Sequence, residues 1–103
     1  MADPMRIRAQ LKGDVTEVRV LMSHVMETGT RRDSSGQTVP AHFIQTITAT
    51  HGNRTVLNAT FGPAVSQNPV LTFSFRGGAK GDKVTVTWVD NKGERRTDEA
   101  TIS

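Results

Sequence analysis

The side chains best suited to chemistry are three histidines, His24, His42 and His51, with Glu27 and Asp33 as neighbouring carboxylates. Imidazole and carboxylate are the usual nitrogen and oxygen ligands of zinc and iron. Their spacing argues against a shared ion. His24 and Glu27 stand three apart, which converges only on a helix, and Thr28, Gly29 and Thr30 disfavour one. In a strand the two would point to opposite faces. Neither a His-x-His nor a Glu-x-x-x-His pair occurs, so the histidines read as polar loop and strand-end residues, with no metal and no cofactor. Ser23 adjoins His24, but adjacent residues do not make a nucleophile–base pair, and there is no G-x-S-x-G elbow. "FRGGAKGDK" (75–83) lacks the Lys-Ser/Thr ending of a phosphate loop and reads as a hairpin connection.

The elements that must carry these residues read as strands. Met5–Leu11 alternates apolar and polar, and Val18, Val20 and Met22 continue the pattern after a Gly13-Asp14 turn. Phe43–Thr50 is rich in Ile and Thr, His51-Gly52-Asn53 makes a turn, and "RTVLNATF" follows. Val70–Arg76 sets Leu71, Phe73 and Phe75 on one face. "KVTVTWVD" sets Val84, Val86 and Trp88 inward, and Asp90-Asn91-Lys92-Gly93 is a hairpin signal before a last polar strand over 95–102. About seven short strands with no helical period predict an all-β, immunoglobulin-like antiparallel two-sheet sandwich. The whole chain, 1–103, is one domain. Trp88 is the candidate for the large central side chain, and the polar first and last strands suit sheet edges.

Composition narrows the function. The 103 residues carry 13 Lys and Arg against 10 Asp and Glu, net +3, and the cations are scattered with one Trp and no Tyr to stack bases. That speaks against nucleic acid, as the lack of any long apolar run speaks against a membrane span. The absence of cysteine removes disulfides, thiolate nucleophiles and cysteine-ligated metals. It also weighs against a small metal-dependent redox sandwich of superoxide-reductase type, whose sites join several histidines to a cysteine thiolate. Without an apolar signal segment at the N-terminus, the sequence alone predicts a cytoplasmic protein.

One stretch, "SHVMETGTRRDSSGQTVP" (23–40), has no regular period. With its flanks it resembles the signature of the SoxZ family of sulfur-oxidation proteins, in which Leu-Ile-Ser-His-x-Met-Glu-x-Gly-x-Arg-Lys-Asp precedes a Gly and an Ile-Pro. Leu21, Ser23, His24, Met26, Glu27, Gly29, Arg31, Asp33, Gly36 and Pro40 fall on that pattern, with Met22, Arg32 and Val39 as departures. "PAVSQNPVLTF" (63–73) and "GDKVTVTWVDNKG" (81–93) resemble two further family blocks in the same order.

The resemblance implies an immunoglobulin-like fold and a non-catalytic subunit, not an enzyme. Its partner would be SoxY, whose C-terminal-arm cysteine carries the sulfur intermediates of thiosulfate oxidation, with other Sox enzymes met indirectly. It implies a periplasmic location reached by co-export with SoxY. On this reading the 23–40 loop binds the partner through His24, Val25, Met26, Glu27, Arg31, Arg32 and Asp33. Val25 and Met26 would be apolar anchors, and Arg31 and Arg32 would pair with carboxylates or draw anionic sulfur species. Against this stand a solvated turn for the arginines, a Met26 packed under its own loop, and a structural hydrogen bond for His24. The alternative function is a free-standing protein-binding module or homodimer that uses an exposed edge.

Overall fold

The computed structural model describes residues 3–103. Its seven strands are β1 (Arg6–Lys12), β2 (Val15–Leu21), β3 (Ile44–His51), β4 (Arg54–Thr60), β5 (Val70–Arg76), β6 (Lys83–Asp90) and β7 (Arg95–Thr101). All strand pairs are antiparallel, in a three-stranded sheet β1-β2-β5 and a four-stranded sheet β4-β3-β6-β7. This is the expected seven-strand, two-sheet sandwich. β1 and β7 are edges as anticipated, and so are β4 and β5. One expectation is corrected: 77–82 is not a hairpin connection, because β5 and β6 lie in different sheets. The crossover packs closely. A Cβ on Gly78, at φ +90°, would collide with Thr16 Oγ1, which donates to the Gly77 carbonyl at 2.7 Å.

The period-two pattern fixes which side chains meet between the sheets. β2 sends in Thr16, Val18 and Val20, β3 sends in Ile44, Ile47 and Ala49, and β6 sends in Val84, Val86 and Trp88. β6 lies inside its sheet between β3 and β7, and Trp88 is almost wholly buried. Two of these rows run past their apolar residues. Met22, His24 and Met26 continue the buried row of β2 beyond its last paired residue, and Asp90 ends the row of β6. Polar groups therefore enter the core at one end of the sandwich.

The C-terminus ties the sheets together on the β1–β7 side. Ile102 is buried and bridges Ala9, the Leu11 amide donates to the Ser103 carbonyl (3.0 Å), and the Ser103 amide donates to Ala9 (3.0 Å). Trp88→Ala would leave a cavity in the middle of this core at a cost of about 3–5 kcal/mol. The melting temperature should then fall on the order of 12 °C or more in a thermal scan. An unchanged midpoint would mean that the Trp88 ring is not the central packing unit.

Candidate metal centre

Three segments meet at the polar end of the core. Asp90 closes β6 and starts the turn to β7, where its Oδ1 accepts the amides of Lys92 (3.0 Å) and Glu94 (2.9 Å). These bonds fix the carboxylate and leave Oδ2 facing inward. The Asp90 side chain is fully buried, and Oδ2 receives His24 Nε2 at 3.0 Å and His42 Nε2 at 2.7 Å. His24 is 3% exposed and His42 20%. Their rings meet edge to face at 4.6 Å, and Trp88 stands edge-on to His24 at 5.1 Å.

Each histidine is placed by backbone bonds rather than by a strand. Glu27 and His42 form an isolated bridge, with the His42 amide donating to the Glu27 carbonyl at 3.0 Å and the Glu27 amide returning the bond. Asn91 clamps the far side of His42 by accepting the Phe43 amide (2.8 Å) and donating to the Ala41 carbonyl (2.9 Å). His24 is gripped by two residues. Its amide donates to Asn68 Oδ1 (3.0 Å), its carbonyl accepts the Asn68 amide (2.9 Å), and its Nδ1 accepts the Met26 amide (3.0 Å). Among the described residues, Met26 (φ +49°) and Asn68 (φ +52°) are the non-glycine residues with positive φ. Such backbone costs on the order of 1 kcal/mol or more at each residue and clusters at functional sites. Here both instances hold the same histidine.

The electrostatics follow from this geometry. Burial raises the Asp90 carboxyl, but the hydrogen bonds from His24, His42, Glu94 and Lys92 together outweigh it, so its pKa lies below the ordinary carboxylate value. Because His24 Nδ1 is an acceptor, the ring proton of the neutral tautomer sits on Nε2 and points at Asp90. His24 and His42 line a pocket of about 410 Å³, with Asp90 behind them, and its lining also includes Asp3, Ser23, Val25, Gln67, Asn68 and Glu94. That lining has two further carboxylates and no Lys or Arg, a field that favours a cation. Trp88 reaches the pocket too, and its Nε1–H is buried without a hydrogen-bond partner among the described residues.

The donor set fits one transition-metal ion. The His24, His42 and Asp90 ligand atoms lie within 4.8 Å of one another. Two imidazoles and one carboxylate are the facial set of non-haem iron sites and resemble three-ligand catalytic zinc sites with open positions. Two adjustments are required: both Nε2 atoms must exchange their protons for the ion, and in His24 the ring proton would move to Nδ1, where it faces the Met26 amide and breaks that hydrogen bond.

Of the residues expected to bind a partner, only His24 enters this centre. Met26 is buried, with Sδ accepting the Ile44 amide (3.3 Å), while Val25 is about half exposed. Arg31 grips Glu27 at 2.7 Å and, by its hydrogen bond, holds the Glu27 pKa below the ordinary value. Arg32 donates to the Gly36 carbonyl (3.1 Å). Asp33 Oδ1 accepts from Ser35 Oγ (2.6 Å) and from the amides of Ser35 and Gln37. Residues 31–39 thus form a small self-bonded hairpin. His51 sits apart from the triad, paired with Asp82 at 2.8 Å. The argument that no ligand set converges is corrected, since spacing within one segment misses ligands drawn from three. His42 had been set aside, and Asp90 had been taken for a turn residue only.

The family described as "Sulphur oxidation protein SoxZ" has a sequence model that matches residues 5–101. No curated protein matches the chain. Superoxide reductases are among the solved structures that match. One, in the oxidized state, has a TM-score of 0.60 at 16% identity, covering 96% of this chain and 86% of its own. A neelaredoxin variant from Archaeoglobus fulgidus, in the reduced form, scores 0.59 at 21%, covering 97% and 86%. Another from Ignicoccus hospitalis scores 0.58 at 16%, covering 99% and 82%. At these identities the likeness is one of fold.

These findings correct the role that the resemblance had implied. A non-catalytic, cofactor-free carrier subunit, no enzyme and bound to SoxY as a heterodimer, was what the family resemblance implied, and the spacing of the histidines had offered no metal or catalytic site against it. The structure brings together two imidazoles and a carboxylate at a pocket, on a fold shared with reductases. The SoxYZ carrier reading is therefore not retained.

Asp90→Asn should test how far the centre depends on its carboxylate. The amide nitrogen would face two imidazole N–H groups, at a cost of about 3 kcal/mol, read as a lower thermal midpoint at pH 7. Because the native Asp90 pKa is depressed, its contribution is complete above the ordinary carboxylate range and lost as pH falls through the native value. Wild type and variant should therefore converge in stability toward strong acid. Equal midpoints at pH 7 would contradict a stabilising role for the carboxylate.

Proposed function

This chain belongs to the SoxZ family, and for it we propose a mononuclear metal-binding function centred on His24, His42 and Asp90. The observation that carries the reading is the convergence of three ligand atoms from three segments on one acidic pocket. His24 and His42 would supply Nε2, Asp90 Oδ2, and the pocket side would stay open to water or substrate. With no cysteine in the chain, the ligand field consists of nitrogen and oxygen only, which suits iron, zinc, manganese or cobalt in the divalent state. The protein's own part is rigid placement. The Asp90 turn holds the carboxylate, the Glu27–His42 bridge and Asn91 hold one imidazole, and Asn68 and Met26 hold the other.

A redox version of this reading draws support from the fold likeness to superoxide reductases. A redox-active ion held by His24, His42 and Asp90 would supply the one electron that, with two protons, converts superoxide to hydrogen peroxide. Asp3 and Glu94 at the pocket wall repel an anionic substrate, so such a reaction would work against its local field.

Titration of metal-free protein with Co(II), Zn(II) or Fe(II) in a calorimeter should give one site per chain. His42→Ala should weaken it at least ten-fold, and the Met26 amide resonance should shift on loading. No retained ion, or equal binding by the variant, would overturn the proposal. For the redox version, iron-loaded protein should consume superoxide faster than the same iron free in buffer, and Glu94→Lys should raise the rate further. A rate no greater than that of free iron would remove the redox version and leave metal binding standing.

A further inference from the structure

The outer face of the three-stranded sheet carries charge out of proportion to the chain. Arg6, Arg8 and Lys12 of β1, Arg19 of β2 and Arg76 of β5 all point outward and are exposed. Glu17 is the one carboxylate on the same strands and face, and Lys12 pairs with it at 3.2 Å. This face nets +4 while the whole chain nets +3, so the rest of the molecule nets −1. Arg8 stands directly opposite Arg19 in the register, a like-charge pair that works against the sheet. Among the described residues, neither Arg6, Arg8 nor Arg19 has an acidic partner. Arg6, Arg8 and Arg19, with Ile7 and Leu21, line a shallow pocket of about 370 Å³.

The neighbouring edge is open. The β1 edge is tied down by Ile102 and Ser103, whereas β5 ends its sheet with no strand beyond it. β5 has no charged residue before Arg76 and no proline within it, and apart from Arg54, which donates to the Arg76 carbonyl at 2.7 Å, it lacks the usual protections of an edge. Leu71 and Phe73 point toward the core yet are only half-buried, and Val70 is 52% exposed. A strand added beside β5 would cover both residues. Its alternate side chains would lie on the basic face next to Val70, Thr72 and Ser74. Thr72 and Ser74 are short. Arg19, one strand spacing behind Thr72 (about 4.8 Å), can therefore reach across to a carboxylate on the added strand. A second copy of this chain would bring the same cations against these, so the charge selects an acidic occupant.

We propose that the β5 edge and the arginine face beside it bind an extended acidic protein segment by strand addition. One of its carboxylates, beside Thr72, would meet Arg19, and another, beside Arg76, would meet that residue's guanidinium, while Arg8 and Arg6 add to the field from the strand behind. This site is on the other sheet from Asp90 and does not depend on the metal reading.

The test uses the full chain and a capped nonapeptide alternating aspartate and valine. The peptide should bind, amides of 70–76 should gain protection from hydrogen exchange, and affinity should fall as salt rises. Arg8→Glu/Arg19→Glu, at exposed positions, should weaken it at least ten-fold, and the milder Arg8→Gln/Arg19→Gln several-fold, each with a thermal midpoint no lower than that of the wild type. Failure to bind would overturn the proposal. So would equal binding of the peptide with asparagine for aspartate, or exchange protection confined to other strands. Self-association through β5, seen as a concentration-dependent dimer in sedimentation, would replace the acidic segment with a second copy.

Discussion

A single carboxylate oxygen, Asp90 Oδ2, organises the polar end of this sandwich. A buried carboxylate without partners is costly enough to prevent folding. Here two imidazole N–H groups meet Oδ2 and two backbone amides meet Oδ1, so burial is compensated on both oxygens. Satisfying that one group dictates the surroundings. The 24–30 segment must turn back at Met26, the 41–43 segment must be clamped by Asn91, and the loop before β5 must bring Asn68 to His24. The two positive-φ residues that grip His24 are held against their backbone preference by this arrangement.

The architecture was legible in the sequence because period two is a local signal. Val84, Val86 and Trp88 announced the inner face of β6, and Leu71, Phe73 and Phe75 that of β5. The site was legible only in pieces. The signal lay in continuing the same count: Thr16, Val18, Val20 and Met22 lead directly to His24 and Met26, and Val84, Val86 and Trp88 lead to Asp90. A histidine and an aspartate on inward rows must find each other or lose solvation unpaid. That step was missed because the turn chemistry of Asp90 already explained the residue. His42 had no such signal, since its position depends on the Glu27 bridge across a loop. The sheet crossover at 77–82 was misread for a similar reason, because glycine turn signals do not say which sheet the next strand joins.

The loop matching the family signature also changes meaning. Its conspicuous charges, Glu27, Arg31, Arg32 and Asp33, pair with or cap one another within residues 27–37. Its less conspicuous members do the positioning: the backbone of Glu27 aligns His42, and the amide of Met26 sets the tautomer of His24. The geometry of the triad favours a bound cation over an empty scaffold.

X-ray absorption at the cobalt edge of protein loaded with one equivalent of Co(II) tests the central claim most directly. The account predicts a first shell of nitrogen and oxygen only, with the outer-shell scattering of two imidazoles, and loss of that signature in His42→Ala. A first shell of oxygen alone, with no imidazole scattering, would place the ion on surface carboxylates and contradict the assignment of His24, His42 and Asp90 as a metal centre.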